Sequence, residues 1–153
     1  MIIVPTNVAQ VTQAVTEMLQ DAPGIGIDGV RVDRAEEINR TPTEKGWVGV
    51  YRDRIDYPPR VLGMGSGYRQ QLIRLFLIVQ ESDPDGGAEC EDRLEHLMQK
   101  CIGVLLSDPS LKGTVQTLDE FSVEHLDYGK DAQGIYMQFA KISFTGVIPV
   151  SAM

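Results

Sequence analysis

Two cysteines and two histidines are the side chains of this 153-residue chain best suited to nucleophilic or metal chemistry. Cys90, His96 and Cys101 are legitimate zinc ligand types. On a helix, however, Cys90 and Cys101 share one stripe about 16 Å apart at the helical rise, too far to bridge. His96 falls between them and projects away from that stripe. They read as two small buried hydrophobes and an exposed histidine. His125 lies among Glu124 and Asp127 and would need an adjacent Ser or Cys to act as a base. In a strand Glu124 and His125 point to opposite faces, and no Gly-x-Ser-x-Gly elbow surrounds any serine, so His125 reads as an outer-face sheet residue. The cluster Gly63-Met64-Gly65-Ser66-Gly67 invites phosphate binding, yet it precedes a strand and no Gly-Lys-Ser/Thr follows. Asp83, Asp85, Glu89, Glu91 and Asp92 lack the twelve-residue calcium-loop pattern and read as a solvated helix start. No catalytic, cofactor-binding or metal-binding residue is assigned, and no cofactor is expected.

The elements that carry these residues follow from periodicity. Val8, Val11, Val15, Met18 and Leu19 recur at helical spacing after a Thr6 or Asn7 cap, predicting a helix over Asn7 to Gln20. A strand is expected over Ile25 to Val32, then a polar loop from Asp33 to Gly46. Trp47 to Arg54 alternates as a strand, with Trp47, Gly49 and Tyr51 opposite Val48, Val50 and Arg52. Ile55 to Gly67, with Pro58, Pro59 and three glycines, reads as a long loop or arm. Tyr68 to Gln80 is apolar on both faces and predicts a central strand.

A second helix opens at Ser82-Asp83-Pro84-Asp85, with proline in its first turn. It carries the stripe Cys90, Leu94, Leu97, Met98, Cys101, Ile102, Leu105. Thr114 to Tyr128 and Ile135 to Val147 then form an antiparallel hairpin around the turn Gly129 to Gly134. A change of apolar parity near Ala140 predicts a bulge or twist. The fold class is α+β: one domain over 1–153, with a mixed, mainly antiparallel sheet packed by two amphipathic helices.

Composition sets the outer limits. At 42% hydrophobic and 24% charged residues the chain is of ordinary globular type, and no run reaches the ~18 apolar residues of a membrane span. Met1-Ile2-Ile3-Val4-Pro5 does not read as a secretory signal, so a soluble protein working in a cytoplasm is expected. The net charge of −8 argues against a grip on nucleic acid by phosphate neutralisation. Arg52, Arg54, Arg60, Arg69 and Arg74 lie in one stretch and the acidic residues from Asp83 to Asp92 in the next, a pattern that suits complementary surfaces between copies or a plain solvated mixture.

The helix from Ala88 to Leu106, the turn Leu106-Ser107-Asp108-Pro109-Ser110-Leu111-Lys112-Gly113-Thr114-Val115 and the closing strand pair resemble the tail terminator proteins of long-tailed bacteriophages. Asp108, Leu111 and Gly113 match that family's short Asp-x-x-Leu-x-Gly-like turn. The resemblance implies a structural virion protein, not an enzyme. Six copies would close a ring on the tail tube, stop its polymerisation, and dock the head-tail connector or head-closure protein. Genome DNA would pass through without specific binding, since six copies carry roughly −48 in all. Localisation would be the neck of the virion, after assembly in the host cytoplasm. Arg52, Arg54, Tyr57, Arg60, Tyr68 and Arg69 are the expected subunit or tail contacts, because Arg and Tyr anchor interfaces; plain surface positions remain the other reading. Another neck or tail subunit, or a small cytosolic enzyme or binding module, are the alternatives.

Overall fold

The computed structural model describes residues 7–34, 37–57, 70–130 and 133–149. Among them, α1 (Val8–Gln20) and α2 (Gly87–Ser107) pack on a sheet of β1 (Arg31–Arg34), β2 (Trp47–Asp56), β3 (Gln70–Asp83), β4 (Thr117–Lys130) and β5 (Tyr136–Pro149). The strand order is β1-β2-β3-β5-β4. β1 runs parallel to β2 and every other pair is antiparallel. The fold is α+β, and β3 occupies the centre as its two apolar faces predict.

Both helices cover one face. Val11, Val15 and Leu19 of α1 and Leu94, Leu97, Met98, Cys101 and Leu105 of α2 join Val48, Val50, Leu75, Leu77, Ile142 and Phe144 in the main core. On the opposite face Trp47, Ile78, Met137 and Phe139 form a smaller cluster. β5 therefore needs no slip at Ala140. Its alternation is unbroken against β3, with Met137 and Phe139 serving one cluster and Ala140, Ile142 and Phe144 the other. The irregularities expected near Ala140 sit on β4, between Asp119 and Ser122 and between His125 and Tyr128. Extra residues on an edge strand can curl it while its neighbour stays regular.

Asn7 caps α1 through its side chain, which accepts from the Ala9 amide at 2.8 Å. The strand expected over Ile25 to Val32 is instead a wound turn, and extended structure begins at Arg31. Here the chain folds back over the end of α1: the Gly26 amide donates to Leu19 and the Val30 amide to Ile25. A Cβ on Gly26 would overlap the Gln20 carbonyl. Ile25 is buried by this wrap rather than by strand alternation.

Ile55 and Asp56, expected to open the arm, belong instead to β2 beyond a bulge after Arg52. Tyr57 follows the strand, and 58–67 lie outside the described residues. α2 also starts later than expected. Asp83 completes β3, the helix opens at Gly87, and the Gly86 cap makes no side-chain hydrogen bond. Asp83 instead accepts from the Asp85 amide at 2.7 Å, so Pro84 sits in a turn ahead of the helix. Gly129 and Lys130, expected in the hairpin turn, continue β4.

Candidate assembly surface

Of the arginines flagged in the sequence, Arg52, Arg54 and Arg74 lie toward the end of the sheet where β2 leaves it. The bulge between Arg52 and Ile55 breaks the alternation, and Arg52, Asp53, Arg54 and Ile55 are all exposed. Arg54 donates from Nε to Asp56 at 3.1 Å. The same Asp56 carboxylate accepts from Nε of Arg74 at 2.6 Å, and Arg74 reaches on to Glu120 at 2.7 Å. Thr145 Oγ1 joins the group 3.3 Å from Arg74.

One guanidinium thus links β2, β3, β4 and β5. The Arg74 hydrogen bond holds the Asp56 carboxyl below its usual value, and Asp56 and Glu120 raise Arg74 in turn. Arg74 side-chain exposure is 27%, so this network is half-sheltered and its charges turn largely on one another. An arginine inside an otherwise apolar strand was its sequence signal. Asp56 and Glu120 gave none, because their meeting depends on sheet register.

Tyr57 stands just past β2, 40% exposed, and its hydroxyl accepts from Gln71 at 3.1 Å. Arg52, Arg54 and Tyr57 are thereby brought together at one end of the sheet. Arg60, Tyr68 and Arg69, and with them the glycine cluster Gly63 to Gly67, lie outside the described residues.

The turn after α2 has a specific construction. Leu111, Lys112 and Gly113 all adopt positive φ, at 48°, 58° and 80°. Asp108 holds them there. Its carboxylate accepts from the Ser110 amide at 3.2 Å, the Ser110 hydroxyl at 2.6 Å and the Lys112 amide at 2.9 Å. The Ser110 hydrogen bond, followed by that from Lys112, keeps the Asp108 carboxyl below its ordinary value. Leu111 is fully buried in the main core. Lys112 Nζ pairs with Glu17 of α1 at 2.6 Å. The three motif residues therefore act as staple, plug and hinge of a left-handed turn that fastens α2 to the final hairpin.

The remaining chemistry-bearing side chains do not converge. Cys90 and Cys101 are buried, whereas His96 is exposed. The Cys90 thiol donates to the Glu81 carbonyl at 3.3 Å. His125 was expected on the outer face of the sheet, but it pairs instead with Ala140 of the main core. It stands 3.7 Å from Glu95 on α2, both well exposed. Among the described residues no group of three or more potential metal ligands occurs, and no helix is long and apolar enough to cross a membrane.

A second feature lies at the far end of the sheet. A groove of about 540 Å³ runs between the start of α2 and the hairpin, lined by Gly87, Glu91, His125, Lys130, Tyr136 and Phe139, among others. Lys130 Nζ lies 4.7 Å from the Tyr136 ring centroid.

No protein-family model and no curated protein matches the chain. Among solved structures, a chain described as "Virion of native gene transfer agent (GTA) particle" is similar at 12% identity and a TM-score of 0.40, over 90% of this chain and 93% of that one. A similarity at that level carries no functional argument.

Proposed function

We propose that this chain is a structural protein of a phage-like virion, acting as a tail terminator: six copies close a ring on the end of the tail tube, halt its growth and present a docking surface to the head connector or head-closure protein. The observation that carries the reading is the Asp108 to Gly113 turn. Its three resembling residues occupy linked structural roles between a long amphipathic helix and a closing hairpin, the order of elements on which the resemblance rests. In this reading residues 1–153 act as one unit located in the virion neck, assembled in the host cytoplasm. Genome DNA passes an acidic ring without specific binding. Arg52, Arg54 and Tyr57, with Arg60, Tyr68 and Arg69, supply subunit or tail contacts.

Adding the purified chain to polymerising tail tubes tests the proposal, with tube lengths read by negative-stain imaging. The expected result is arrested tubes bearing an end cap. Unaltered growth would sink the terminator reading. Long cylinders built from this chain alone would replace it with a tube subunit.

A further inference from the structure

We infer that a second copy of this chain docks head to tail, with the Arg52 and Arg54 end of one sheet seated against the groove at the start of α2 on the next. The inference rests on the assembly role proposed above and names the surface that receives its arginine-bearing end.

The two surfaces differ in the charged side chains they expose. At the start of α2, Asp85, Glu89, Glu91 and Asp92 are all exposed; Glu91 lines the groove together with Lys130, whose ammonium lies over the Tyr136 ring. A concave, partly aromatic groove beside an acidic helix start results. At the other end Ile55 and Tyr57 are exposed apolar bodies, 37% and 40% accessible, set beside Arg52 and Arg54. Of the carboxylates there, Asp56 pairs with both Arg54 and Arg74, and Glu120 with Arg74. Asp53 lies between Arg52 and Arg54 in the chain, and all three are exposed. In a chain of net charge −8, copies repel one another unless such an arginine-bearing patch meets an acidic one.

Position excludes satisfaction within one molecule. Asp56 lies beside Leu72 and Tyr136 beside Asp83, so the two ends are about 35 Å apart along β3 at ~3.3 Å per residue. Two unlike surfaces at opposite ends make a heterologous contact, which generates closed rings or open filaments rather than a two-fold dimer. The exposed apolar pair Ile55 and Tyr57 is set against the groove, and the arginines against the acidic start of α2.

Two charge-reversed chains test this, one carrying Arg52→Glu and Arg54→Glu and the other Glu91→Lys and Asp92→Lys, compared with the unaltered chain by sedimentation velocity. All four positions are exposed, and thermal melts confirm folding. The unaltered chain is expected to self-associate, less so as ionic strength rises. Each reversed chain alone should associate at least roughly tenfold more weakly, and mixing the two should restore association. A chain that stays monomeric at the highest attainable concentration overturns the inference. So does association that ignores either reversal, or a mixture no stronger than its parts. Should one reversed chain fail to fold, the other and the salt dependence still decide. Tube capping is scored separately. Association through these surfaces without tube arrest leaves the contact standing and removes the terminator reading, whereas capping by chains indifferent to both reversals removes the contact alone.

Discussion

Asp108 shows how one half-buried carboxylate can govern a buried side chain. By accepting three hydrogen bonds it stabilises a turn that places Leu111 and Lys112 at positive φ, a region that L residues enter at a cost of about 1–2 kcal/mol each. Leu111→Ala is expected to destabilise the protein by about 3 kcal/mol, since a fully buried leucine is lost and a cavity left. Asp108→Ala should lower the melting temperature by a few degrees through loss of the turn. Gly113→Ala meets no atoms within 4 Å yet must hold φ 80°, costing about 1 kcal/mol. Thermal melts of the three variants check the set. An Asp108→Ala chain that melts like the unaltered protein would refute the stapling role.

Among the elements, α2 does the most to order its surroundings. Its stripe buries both cysteines, and burial pushes the Cys90 thiol up to about 11 and the Cys101 thiol up to about 12. Thiolate is the reactive form, so both should resist a thiol reagent in the native state at neutral pH and react together on unfolding, as colour development in a denaturant series would show. Fast native-state labelling of either would contradict the packing of α2. The stripe itself was legible as helical spacing, but the start of the helix was not. Ser82, Asp83 and Pro84 look like a cap and first turn, yet β3 continues through Asp83 because its register against β5 extends to Tyr136. Likewise the polar run Gln80, Glu81 and Ser82 gave no sign of burial. It is buried because Gln80 donates to the carbonyls of Asn39 and Thr41 and Ser82 to that of Thr43, tying a loop distant in sequence to the strand.

For the whole molecule, ionisation pulls stability in two directions. Asp56, Asp108 and Glu17 are held below their ordinary values, first by hydrogen bonds from Arg74, Ser110 and Lys112 respectively. The stability they add is complete above the unfolded carboxylate range and is lost as pH falls through their lower folded values. Glu81 is the opposite case: burial raises it. Arg93 Nη2 stands 3.4 Å from its Oε1, close enough for charge attraction but without a hydrogen bond. Its ionisation therefore weakens the fold above its folded value, and that cost disappears as pH falls toward the ordinary glutamate range. Glu81→Gln is expected to raise the melting temperature at neutral pH and to leave the acid-side decline steeper than in the unaltered chain. Melting curves from mildly acidic to neutral pH test it, and a neutral-pH loss on substitution would reverse the assignment.

The sequence by itself determined the two amphipathic helices, the central strand, the closing hairpin and the α+β class, because period 3.6 and period 2 record which side chains leave water whatever the partner. It also determined the turn at Asp108, Leu111 and Gly113, whose hydrogen bonds are local. Only the tertiary structure decided that both helices share one face, that β1 lies parallel beside β2, that the β4 bulges spare β5, and that Arg74 meets Asp56 and Glu120. Those outcomes depend on strand order and register, which bring together groups far apart in the chain, and no local pattern encodes which distant carboxylate an arginine will reach.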